Sequence, residues 1–103
     1  MNTTNVRGLI AILLDRTAPI SDRDDAAMDL GNSDDKSAAD ALIAVGQDRR
    51  DHETVVASCG ESLARIAVRT GHLDAELIER LAPIAVNELL TTIRAMRPEL
   101  LSR

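Results

Sequence analysis

The chain has 103 residues, 45% of them apolar, yet no Phe, Tyr or Trp. That is enough for one domain over residues 1–103, with a modest core of Leu, Ile, Val, Ala and Met that suits closely stacked helices better than a strand sandwich. The net charge is −5, and residues 21–53 hold ten acids against four bases, so phosphate backbones are repelled from the middle of the chain and nucleic acid is disfavoured as a partner.

The first helix is expected over about 4–15, capped by Thr3 or Thr4, with Val6, Leu9, Ile10 and Leu13 as its apolar stripe. Pro19 breaks the connector that follows. Ser21 then reads as the N-cap of a second helix through Leu30, with Asp22, Asp24 and Asp25 in its first turn. Gly31-Asn32 offers a residue that tolerates positive φ for the C-terminal cap. A third helix is expected over about 36–47, with Ala38, Ala39, Leu42, Ile43 and Val45 inward. Asp48 to Asp51 form a charged connector, and a fourth helix follows over about 53–70. Gly60 in its middle costs about 1 kcal/mol relative to alanine, so it is read as a close-packing point. Asp74 caps a fifth helix over about 75–81. Pro83 either starts a sixth or kinks one long helix to about Met96, and residues 98–103 are expected as a frayed tail. No segment reads as a strand.

No motif carries chemistry. His52 and His72 fall in turns without a Cys or His at metal-ligand spacing, so no zinc site is expected. Cys59 lies on an apolar stripe and reads as a buried small hydrophobe, and as a lone cysteine it suits a reducing compartment. Asp24-Asp25 and Asp34-Asp35 are explained by capping and dipole complementation. No phosphate loop or calcium loop is present, and no cofactor is expected. The apolar run Leu9 to Leu14 is too short to span a membrane and lacks a signal-peptide cleavage site, so a cytoplasmic protein is expected. The initial methionine and the end shortly after the last helix suggest a complete gene product.

A self-similarity at an offset of 33 residues organises these helices. Leu9-Ile10-Ala11 recurs as Leu42-Ile43-Ala44, Asp15-Arg16 as Asp48-Arg49, and Leu30 as Leu63. A period in this range is the signature of a stacked repeat architecture. Paired as repeats, the residues Asp35, Ala38, Leu42, Ile43, Asp48, Val55, Ala57, Leu63, Ala64 and Ile66 resemble the HEAT-like repeats of the bilin-lyase type. The earlier copy supplies Leu9, Ile10, Asp15, Ala26, Ala27, Leu30 and Gly31. The likeness covers roughly residues 4–82, with a longer turn after Asp48 and a degenerate third copy as departures. It implies an all-α fold, a short right-handed α-solenoid of about three HEAT-like hairpins (five to six helices), with the second helix of each pair usually lining the concave side. Bilin lyases and HEAT-like DNA glycosylases share the repeat. The first are generally much longer and enclose a chromophore; the second need a basic, aromatic-bearing groove, so no catalysis is expected.

The row expected to face a partner lies on the helices at about 4–15, 36–47 and 74–82: Arg7, Ala11 and Leu14, then Asp40, Ala44 and Gln47, then Ala75, Glu79 and Ala82. Arg16, Asp48, Arg49, Arg50 and Asp51 are expected as a ridge along one edge. Asp22, Asp24, Asp25 and Asp29 form an acidic patch present in one copy only. The function these features suggest is a non-catalytic module that binds a basic protein, as an immunity or antitoxin-type inhibitor of a toxin or nuclease would. The alternative is an assembly subunit that self-associates or docks through residues 84–101.

Overall fold

The computed structural model describes residues 5–102, so the expected caps Thr3 and Thr4, and Arg103, lie outside the described residues. Six α-helices follow one another: α1 Val6–Leu14, α2 Ile20–Leu30, α3 Lys36–Gly46, α4 Glu53–Thr70, α5 Ala75–Arg80 and α6 Pro83–Met96; a 3-10 turn, Pro98–Leu101, closes the chain. No strand occurs among the described residues.

The core is aliphatic. Leu13, Leu30, Leu42, Val55, Cys59, Ala64, Ala85, Leu89 and Ile93 are fully buried. Helix α4 is the centre of the packing, with contacts to α2, α3 and α6. Its α2-facing stripe recurs at helical spacing: Ser58 bonds Asp24, Ser62 bonds the Ala27 carbonyl at 2.7 Å, Arg65 the Met28 carbonyl at 3.2 Å and Arg69 the Gly31 carbonyl at 3.0 Å. Partners on both helices rise together, so α2 and α4 run parallel. On the other flank Gly60 meets Ala85, and further along Arg97 reaches the Val68 carbonyl at 2.8 Å, so α6 runs parallel to α4 as well.

The 33-residue echo has a structural cause. Ala26 and Cys59 are both buried, as are Leu30 and Leu63, while Ala11 and Ala44 are both exposed. Asp15 accepts the backbone N–H of Thr17 at 2.9 Å, and Asp48 accepts that of Arg50 at the same distance, so the repeated aspartate terminates α1 and α3 with the same local turn. Arg16 pairs with Asp48 at 2.9 Å across one repeat length. Among the described residues, side-chain hydrogen bonds from Arg16, Arg23, Ser58, Ser62, Arg65, Arg69, Arg80 and Arg97 join positions 28 to 38 apart.

One of these is a buried ion pair. The side chains of Arg23 and Asp51 are 2% and 5% exposed, and they meet in a bidentate pair with both N–O distances at 2.7 Å. Arg23 also donates through Nε and Nη2 to the Leu13 carbonyl at 3.0 and 2.8 Å, satisfying an acceptor at the end of α1. One guanidinium therefore joins α1, α2 and the connector before α4.

Several boundaries depart from the sequence reading. Helix α2 begins at Ile20 rather than after Ser21, because Pro19 in an extended conformation leaves its carbonyl to accept the N–H of Asp22 and Arg23. Gly31 has φ −64°, not positive; a Cβ there would lie 2.6 Å from Ser62 Oγ, so its smallness serves close approach. Gly71 is the glycine with positive φ, 76°, at the end of α4. Pro83 starts α6, and Ala82 is buried rather than partner-facing, its N–H donating to the Gly46 carbonyl at 2.9 Å. The expected frayed tail instead turns back, and Leu100 and Leu101 pack half-buried on the core.

Two outcomes follow. A Cβ on Gly60 would lie 2.2 Å from the Ala85 carbonyl oxygen, a backbone atom. Gly60→Ala gains about 1 kcal/mol of helix propensity, but separating α4 from α6 costs about 1–3 kcal/mol or more. Urea denaturation should show a net loss of stability, whereas a stabilised variant would place α4 and α6 farther apart. The guanidinium of Arg23 hydrogen-bonds Asp51 and holds its carboxyl below the usual aspartate range, against the opposing effect of burial. A depressed folded-state pKa means this stabilisation is present above the unfolded value of about 4 and is lost as pH falls through the folded value. Asp51→Ala, which strands a buried guanidinium, should cost about 3–5 kcal/mol at neutral pH and flatten the acid limb of the stability curve; an unchanged acid limb would remove Asp51 from that role.

Candidate functional site

The acids and bases singled out in the sequence separate into those the fold uses and those it leaves available. Asp51 belongs to the first group, and the expectation of an exposed ridge fails there: its carboxylate is held inside by Arg23, where a charge without a partner would be costly. Asp24 is half-buried and accepts a hydrogen bond from Ser58, so it leaves the outward acidic patch. Asp48 is half-buried and paired with Arg16. Asp34 is taken by Arg69 at 3.0 Å. Asp40 is exposed and carries an i,i+4 pair with Lys36 at 3.0 Å, a contact of a few tenths of a kcal/mol, roughly.

Asp22, Asp25 and Asp29 remain exposed on α2, with no ion pair among the described residues. On α1, α3 and α5, Arg7, Ala11, Leu14, Ala44, Ala75 and Glu79 are exposed as the row requires. Gln47 is exposed too, accepting from Arg80 at 3.3 Å, which links α3 to α5. Ala82 drops out of that row.

Two adjoining clefts lie elsewhere, between α4 and the first turns of α6, and share Glu53 and Ile84. One, of about 290 Å³, is walled by Val56, Ala82 and Pro83, with Asp48 and Arg49 at its edge. The adjoining one, of about 330 Å³, has Ala57 and Ile84 as apolar walls and Glu61 and Glu88 as its acids. Glu61 and Glu88 are half-buried, yet neither forms an ion pair or a side-chain hydrogen bond among the described residues. Sequence reasoning missed this groove. It needs α6 laid parallel to α4 by the Gly60 contact, and nothing in the α6 sequence states that register.

The remaining candidates do not converge. His52 accepts the Thr54 N–H through Nδ1 at 3.2 Å and serves as the N-cap of α4. His72 lies beyond the other end of that 18-residue helix, roughly 27 Å away at 1.5 Å per residue. It lines a separate hollow with Leu73 and Glu99. Among the described residues no three His, Cys, Asp or Glu side chains come together in a way that could hold a metal ion. Nor is any described helix long and apolar enough to cross a membrane.

Comparison with known proteins returns no match to a family model, a curated protein or a solved structure.

Cys59 is fully buried, and burial pushes its thiol up to about 12, with Asp51 adding to the effect. A thiol reagent at pH 8 should therefore leave the native chain unlabelled and label it promptly in denaturant. Rapid native labelling would mean that the core around Cys59 opens readily.

Proposed function

We propose that the chain is a non-catalytic protein-binding module, a short right-handed α-solenoid of HEAT-like hairpins that holds a basic partner protein. Its role would be that of an immunity or antitoxin-type inhibitor acting in the cytoplasm. The observation that carries this reading is the division of the acids. Asp34, Asp40, Asp48 and Asp51 are matched by bases of the same chain, whereas Asp22, Asp25 and Asp29 on α2, Glu53 and Glu61 on α4 and Glu88 on α6 have no ion pair among the described residues. Carboxylates left unmatched on neighbouring helices speed the approach of a positively charged surface. The repeat reading is supported by the parallel course of α2, α4 and α6 and by polar contacts that reach across about one repeat length. Each hairpin then buries its face only against its neighbours.

The second reading, self-assembly through residues 84–101, is less favoured. Leu89 and Ile93 are buried and Leu90, Leu100 and Leu101 half-buried, which leaves Met96, 56% exposed, as the large apolar side chain presented there. Helix α1 presents two large apolar side chains, Ile12 at 39% and Leu14 at 49% exposed, and Leu14 belongs to the row that includes Arg7.

The reading predicts that the immobilised chain retains a basic protein from a lysate of its native host. With that protein purified, the triple variant Asp22→Asn, Asp25→Asn, Asp29→Asn should associate about tenfold more slowly at low salt, and its rate should depend less on ionic strength. Capture of only acidic proteins, or an association rate untouched by the three changes, would overturn the electrostatic basis of the proposal.

A further inference from the structure

We propose that the groove between α4 and the start of α6 receives an extended basic segment of the partner, in which two cationic side chains flank one aliphatic side chain. The inference rests on the basic-partner reading and gives it a location and a pattern.

The groove repeats one motif along its length. Glu53, Ala57 and Glu61 lie four residues apart on α4 and so share one face, about 6 Å between neighbours and about 12 Å from first to last. Across from them Ile84 and Glu88 follow the same spacing on the parallel α6. Glu53 and Ile84 line both clefts, while Ala57, Glu61 and Glu88 line only the second. From one end to the other the order is therefore acid, apolar floor, acid. Arg49 is the one base lining the two clefts, and it lines the one that Glu61 and Glu88 do not.

Charge complementarity selects the occupant. The groove's own chain supplies no ion pair to Glu53, Glu61 or Glu88 among the described residues, and Glu61 and Glu88 are half-buried. A carboxylate withdrawn from water gains from a cation delivered by a partner. An extended chain puts residues i, i+2 and i+4 on one side, about 13 Å from first to last. That length matches the separation of the two acidic ends and sets the middle residue over Ala57 and Ile84. Recognition is then by alternating side chains in the groove.

The probe is a nine-residue peptide with the core Lys-Ala-Val-Ala-Lys, titrated into the full ¹⁵N-labelled chain and followed by amide chemical shifts. A second peptide of the same composition has the two lysines adjacent. The expected result is perturbation confined to residues 53–61 and 83–88, with the rearranged peptide at least fivefold weaker. Glu61→Gln with Glu88→Gln should weaken binding at least tenfold, while Glu76→Gln on α5 should leave it unchanged. Equal affinity for the two peptides, or no perturbation with either, overturns the proposal. Perturbation centred on Asp22, Asp25 and Asp29 also overturns the groove but leaves the basic-partner reading standing. That reading falls separately, if the host lysate yields no basic protein.

Discussion

The ion pair between Arg23 and Asp51 is the constraint around which the helices are arranged. It is the one buried pair in the described chain, and its guanidinium also satisfies the carbonyl that α1 leaves open at Leu13. Burying two charges is costly, so the geometry must compensate: four short hydrogen bonds from one side chain, with the carboxylate also accepting the His52 N–H at 2.7 Å. The result fixes the connector between α3 and α4 against both α1 and α2. Because α4 starts directly after that connector, the same contact sets where α4 lies, and with it α6.

Arg23 also shows what could be read in the sequence and what could not. It stands between Asp22 and Asp24, and a run of charges reads as a solvated face. Yet Arg23, Ala26, Ala27 and Leu30 follow helical spacing, and all four are buried. The residue one repeat later is Val56, itself in the core. The phase of the helix held the information; the charge of the residue masked it. Legible features were Asp74 capping α5 and Gly60 as the point of close approach, while Pro83 marked a boundary without deciding between a helix start and a kink. What escaped depended on contacts distant in the chain. The burial of Asp51 and Ala82 and the return of Leu100 and Leu101 to the core follow from neighbours a repeat length or more away.

For the candidate site, the sequence located charge but not its allocation. An acidic stretch contains residues with opposite roles, and only the positions of the bases tell them apart. Arg16, Arg23, Lys36 and Arg69 take up Asp48, Asp51, Asp40 and Asp34, leaving α2 with an outward set and the α4–α6 groove with another. Glu53, Glu61 and Glu88 gave no signal as a group, since they come from helices whose register is fixed by a glycine rather than by a recognisable motif.

Side chains that reach 28 to 38 positions along the chain, Arg23 foremost, hold the helices in this order. A double-mutant cycle on that pair tests it most directly, with Arg23→Met, Asp51→Ala and the double variant compared by urea denaturation. A coupling energy of about 2 kcal/mol or more is expected, because each single change leaves the other charge buried without its partner. A coupling below about 0.5 kcal/mol, the level of independent sites, would contradict it.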